Sequence, residues 1–140
     1  IKELRDRDLY TSITDNGAGG LSSSIGEMAK ESGGFIVNLE KIPLKYKGLY
    51  PWEIWISESQ ERMTLAVKPK DAKSVIKIFK QRGVEATIIG KFTKQKKAVV
   101  KYNRTVVLNL DMNFLHEGYP KLKLKTKFLS RLLRFHSQSQ

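Results

Sequence analysis

The residues able to do chemistry fall in two short segments. Asp15-Asn-Gly-Ala-Gly-Gly-Leu-Ser-Ser-Ser24 sets one carboxylate just ahead of a glycine-rich turn that opens a helix. Backbone N–H groups at such a turn attract anions, and a carboxylate beside them can hold a hard cation such as Mg2+ that carries the anion. The second segment, Pro51-Trp-Glu-Ile-Trp-Ile-Ser-Glu-Ser-Gln-Glu-Arg-Met63, crowds Glu58, Ser59, Gln60, Glu61 and Arg62 behind a Trp-bearing amphipathic turn. That density of donors and acceptors suits gripping a polar ligand better than filling a core.

Each segment also has a plainer reading. Asp15 can act simply as the cap of a tight strand-to-helix turn; the spacing is not the dinucleotide fingerprint, and there is no Walker lysine. Residues 58–62 can be a solvated connector, with Glu61 and Arg62 a surface pair of little worth. Trp52 and Trp55, three apart, fit packing better than ligand stacking. His116, in Leu-His-Glu-Gly, has the chemistry of an acid or base, yet a single histidine near a helix end reads as structural. No Ser-His-Asp or Cys-His set can be assembled.

The surrounding pattern supplies elements to position these residues. Ile1 to Leu9 reads as the end of a helix, and Tyr10 to Thr14 as a strand that delivers Asp15 to its tip. Leu21, Ile25, Met28 and Ala29 mark one face of a helix closed by Gly33-Gly34. Phe35 to Leu39 is the next expected strand, broken by Pro43. Pro51 suits the first position of a short helix. Arg62 to Val67 is an expected strand, and Pro69 to Arg82 an amphipathic helix with Ala72, Val75, Ile76 and Phe79 inward and Gly83 as its stop. Glu85 to Phe92 is expected as a strand. Ala98–Tyr102 and Thr105–Leu110 should form a hairpin through Asn103-Arg104, although that turn lacks the Asn-Gly signal. Leu122 to Lys127 alternates as a lysine-bearing edge strand would, and Leu129 to Phe135 as a brief helix. Interleaved helices and strands with a hairpin predict an α+β fold: an α/β sandwich with a mixed sheet and flanking helices.

Composition bounds the partners. A chain of 140 residues, 40% hydrophobic and 29% charged, is one domain able to bury a core. No run approaches the roughly 18 apolar residues of a membrane span. The absence of cysteine excludes disulfides and, with only two histidines, argues against a zinc site. The net charge of +12 suggests nucleic acid until it is located: residues 118–140 carry +6 of it, and the body is only mildly basic. The start at Ile1, inside a charged helical stretch, is what a piece of a longer protein would show.

Several segments together carry a family resemblance. Asp15-Asn-Gly-Ala-Gly-Gly-Leu-Ser-Ser23, Ile42-Pro43-Leu44, Pro51 to Met63, Gly83-Val-Glu-Ala-Thr87 and Leu110-Asp-Met-Asn-Phe-Leu-His-Glu-Gly118 resemble the large subunits of phosphoribosylformylglycinamidine synthases. These are ATP-dependent amidotransferases of purine synthesis, in the wider group related to AIR synthase. The similarity runs from about Leu9 to Pro120, and the thirteen residues ending at Met63 are its most specific part.

The resemblance implies an AIR synthase C-terminal-type domain over 1–120, part of a longer multi-domain subunit, with 121–140 a basic tail or linker. It implies Mg2+ and ATP as cofactors, with Asp15 a magnesium ligand and Glu58, Ser59 and Gln60 contacts to formylglycinamide ribonucleotide. The activated substrate would receive ammonia from a glutaminase subunit, with a small accessory subunit completing a cytoplasmic complex. The isolated chain would be inactive, since the family's proposed catalytic histidine and most of its ATP contacts belong to the preceding domain. Two competing readings stand beside this. A small basic nucleic-acid-binding module would bind with steep salt dependence, and a purely structural assembly domain would self-associate through an exposed apolar face.

Overall fold

The computed structural model describes residues 1–58, 61–120 and 122–125. Its elements run α1 (Lys2–Asp6), β1 (Ser12–Asp15), α2 (Gly20–Ser32), β2 (Phe35–Asn38), a 3-10 turn (Leu39–Lys41), α3 (Pro51–Ile56), β3 (Met63–Ala66), α4 (Ala72–Gln81), β4 (Gly90–Phe92), β5 (Lys97–Tyr102), β6 (Thr105–Asp111) and α5 (Met112–Glu117). The α+β class with helices flanking a mixed sheet is as expected, but the strands divide into two sheets. β1 and β3 form an antiparallel pair, and β4-β2-β5-β6 a second sheet in which only β2 and β5 run parallel.

Helix α2 joins the two sheets. Its Leu21, Ile25 and Ala29, spaced to share one face, are buried against Phe35 and Val37 of β2, Ala98 and Val100 of β5, Ile54 of α3 and Met112. The helix ends where Gly33 turns left-handed at φ 91° and returns its N–H to the Ala29 carbonyl at 2.8 Å. A smaller cluster of Leu4, Val75 and Ile78 packs α1 and α4 together with Leu65 of β3. Ile78, not Ile76, is the deeply buried isoleucine of α4, because Val75 and Ile78 lie three residues apart on the inward stripe.

Three expectations need correction. Residues 85–89 are not strand: β2 offers a partner only to Gly90–Phe92, and the chain before Gly90 contributes a single ladder-like bond, Asn38 N–H to the Ile89 carbonyl at 2.8 Å. The 3-10 turn at Leu39–Lys41 ends β2 before Pro43 is reached. Residues 122–125 form no strand and are exposed, so the alternation there lacks a neighbour to pair with. Residues 126 and 127 of that expected strand, the expected helix at 129–135, and the tail from 126 onward lie outside the described residues.

The hairpin forms as expected. Asn103 and Arg104 both take positive φ, 46° and 69°, as a two-residue connection matched to the right-handed strand twist requires. A bulge between Val100 and Lys101 shifts the register so that Val100 faces Leu108 and Lys101 faces Val106.

Candidate functional site

Strand β1 ends at Asp15, whose exposed carboxylate accepts the Gly17 N–H at 2.9 Å in a local turn. The chain then reverses through Gly19 and Gly20, at φ 80° and 58°, and enters α2. Only glycine fits at Gly20. A Cβ there would run into the backbone of Ile56 and the Ser57 carbonyl, so the start of α2 lies directly against the end of α3.

That close approach brings the two chemical segments together. The Gly19 N–H donates to Glu58 Oε1 at 3.0 Å, across 39 residues of sequence. Glu58 thus satisfies one of the N–H groups left open at the start of α2, where no side chain of its own caps the helix. A carboxylate at a helix N-terminus is also favoured by the peptide dipoles. Ser59 and Gln60, the other two expected contacts, lie outside the described residues.

The plainer reading of Glu61 and Arg62 as a surface ion pair is replaced by a different contact. Glu61 turns left-handed at φ 63°, and the half-buried Arg62 sends Nη2 back to the Ser57 carbonyl at 2.9 Å. Burial holds the Arg62 guanidinium below its usual range. Its Nε lies buried with no acceptor among the described residues. The Arg62 carbonyl accepts the Asn16 N–H at 3.0 Å, extending the β1–β3 ladder to the mouth of both loops.

Beneath them is a polar cluster that the sequence pattern did not single out. Asn16 is only 3% exposed, and its Oδ1 accepts the Thr64 hydroxyl at 2.7 Å. The Thr64 oxygen also lies 3.4 Å from the Ser24 hydroxyl on α2. Asn16 Nδ2 is buried without a partner among the described residues. The one available signal was Asn16's place in Asp-Asn-Gly; its partner Thr64 is 48 residues away.

The two tryptophans divide. Trp55 packs on the buried Phe35 with ring centroids 5.9 Å apart and planes tilted by 36°. Trp52 is 61% exposed and borders a cleft of about 350 Å³, whose walls include Pro43, Leu44, Tyr46, Ile56 and Arg62. A larger cleft of about 490 Å³ lies between α1 and α4, away from both motif segments. His116 was expected as a hydrogen-bonded structural residue, but its Nε2 is buried and unpartnered among the described residues.

No three His, Cys, Asp or Glu side chains cluster among the described residues. Asp15 therefore offers one oxygen ligand to a hard cation, and water or a phosphate would have to complete the shell. The donor type fits Mg2+, which keeps several waters and binds through one or two carboxylates plus substrate phosphates. Among the described residues no helix is long and apolar enough to cross a membrane.

Comparison with known proteins bears on the family and the fold. Residues 1–103 match the family described as AIR synthase related protein, C-terminal domain. The phosphoribosylformylglycinamidine synthase subunit PurL of Methanopyrus kandleri is 39% identical over 124 residues, covering 88% of this chain and 17% of that protein. T. maritima PurL complexed with FGAR superposes with a TM-score of 0.84 at 27% identity, over 95% of this chain and 22% of that one. T. maritima PurL complexed with ATP gives 0.82 at 27% identity, over 95% and 23%. The chain spans about a sixth of the length of the curated relatives it matches. The resemblance to PurL thus covers most of this chain, and by sequence and by fold the chain belongs to the AIR synthase-related protein family, as its C-terminal domain.

Proposed function

We propose that this chain is the part of a phosphoribosylformylglycinamidine synthase large subunit that holds formylglycinamide ribonucleotide and the metal of Mg-ATP. The observation that carries the reading is the Gly19–Glu58 bond, which brings the glycine turn beside Asp15 against the segment opening at Glu58. Asp15 is the metal ligand, its second oxygen remaining available after the Gly17 N–H takes the first. Glu58, with one oxygen fixed by Gly19, presents the other to a ribose hydroxyl or amide, and Ser59 and Gln60 supply further polar contacts.

The Mg2+ ion would supply charge to neutralise the transferring phosphoryl group. The chain's own residues bind and orient. On this reading, ammonia supply and the remaining nucleotide contacts fall to a glutaminase partner, an accessory subunit and other domains of the subunit. Supporting the reading are the matched T. maritima PurL structures, one complexed with ATP and one with FGAR.

The test is steady-state kinetics of the full-length protein that carries this chain, with formylglycinamide ribonucleotide, ATP and ammonia. Asp15→Asn should weaken Mg-ATP use, and Gln60→Ala should mainly raise the KM for the ribonucleotide, each by about tenfold or more. Wild-type kinetics in both variants would overturn the assignment. The basic nucleic-acid reading has less support: half of the +12 charge it rests on falls in residues 118–140, outside both motif segments.

A further inference from the structure

Ser57 and Glu58 on one side and Arg62 on the other are each anchored, and Arg62 ties the two together. At its C-terminal end, the Arg62 carbonyl is locked into the sheet by the Asn16 N–H at 3.0 Å. From that fixed point the guanidinium reaches back five residues to the Ser57 carbonyl at 2.9 Å. Glu61, left-handed at φ 63°, supplies the reversal that makes this reach possible. At its N-terminal end, the Ser57 carbonyl lies where only Gly20 lets α2 pass. Glu58 follows Ser57 directly, and its carboxylate receives the Gly19 N–H.

Arg62 is an expensive choice for this position. It is half-buried, desolvation lowers its pKa, and Nε finds no acceptor among the described residues. An apolar side chain of similar volume would fill the space without desolvating a charge. The return for that cost is geometric: a forked donor able to fix one backbone carbonyl at the entry of the loop.

We propose that Arg62 is a positioning residue: by holding the Ser57 carbonyl it sets the backbone from which Glu58 reaches the Gly19 amide and faces the ligand. This rests on the reading above that Glu58 contacts the ribonucleotide. The consequence is a selective one. Loss of the guanidinium should loosen Glu58 from Gly19 while leaving the α2 core, built from Leu21, Ile25 and Ala29, in place.

Two measurements separate this inference from the reading it rests on. The first is NMR of this chain. The Gly19 amide proton should move upfield in Glu58→Ala, which removes its acceptor, and Arg62→Met should carry it at least halfway to that position. Arg62→Lys, which keeps one donor, should restore most of the shift. The Gly33 amide, bonded to Ala29 at the other end of α2, should stay fixed in all three. A Gly19 resonance unmoved in Arg62→Met, or equal movement of Gly19 and Gly33, overturns the inference. The second is kinetics of the full-length protein: Arg62→Met should raise the KM for formylglycinamide ribonucleotide by about tenfold with little change for ATP, and Arg62→Lys should recover it. A KM unchanged in Glu58→Ala counts against the substrate reading. A KM raised by Glu58→Ala but not by Arg62→Met counts against the positioning role.

Discussion

Gly20 opens α2 at the one point where the Ser57 carbonyl leaves no room for a side chain. The two motif segments meet through this backbone-to-backbone approach, and the Gly19–Glu58 bond follows from it. Gly20→Ala should therefore cost about 2 kcal/mol or more, through a left-handed φ of 58° and a clash with backbone that cannot yield easily. Gly26→Ala is the control. A Cβ there would meet Leu115 Cδ2 at an ordinary 3.8 Å, and the residue sits inside the helix. It should be neutral or stabilising by about 0.5–1 kcal/mol. Denaturant unfolding of both variants checks the pair.

Thr64→Val tests the buried polar cluster. It keeps the shape of the side chain but removes the donor to Asn16 Oδ1, leaving a 3%-exposed amide with neither end partnered among the described residues. The expected loss is about 1–3 kcal/mol, read as a lower midpoint at unchanged slope in a urea titration.

The tryptophans should respond oppositely. Trp55→Ala removes the ring packed on Phe35 and should lower Tm by several degrees, consistent with about 2–3 kcal/mol. Trp52→Ala, at a 61%-exposed position, should stay within about 0.5 kcal/mol of wild type. Thermal unfolding followed by circular dichroism compares them directly.

Acid sensitivity has one identifiable source at the α1–α4 junction. Arg82 Nη2 donates to Glu3 Oε2 at 3.0 Å, and this bond, aided by the charges of Arg82 and Arg7, holds the Glu3 carboxyl below its ordinary 4.5. With the folded value depressed, the unfolded chain binds more protons in the window below 4.5. The contribution is then present above that value and is lost as pH falls through the folded one. Glu3→Gln should lose less stability than wild type as pH falls below 4.5, and the difference should shrink in high salt because the pair is exposed. Thermal unfolding across that range measures it.

What was legible in the sequence was local. The 3.6-residue spacing of Leu21, Ile25 and Ala29, closed by Gly33, located α2, and Pro51 located the start of α3. The Asn103-Arg104 turn was readable from its flanking β-branched runs. Residues 85–89 misled because Val84 to Ile89 look strand-like in isolation, whereas a strand exists only where a neighbour offers its ladder, and β2 is four residues long. The site was half legible. Asp15 and Glu58 stand out by type and context, but Asn16–Thr64 and Gly19–Glu58 join residues about 40 or more positions apart, which no local pattern encodes. Arg62 looked like a surface charge because its partner is a backbone carbonyl, a group that sequence does not distinguish.

The most direct measurement of the central claim, one cation-and-ligand site shared by the two segments, uses Mn2+ in place of Mg2+. Titrated into the isotopically labelled chain, it should broaden the amide resonances of residues 16–19 and of Glu58 first and together, and Asp15→Asn should abolish the effect. Broadening centred elsewhere, or broadening near Asp15 that leaves Glu58 sharp, would contradict the account.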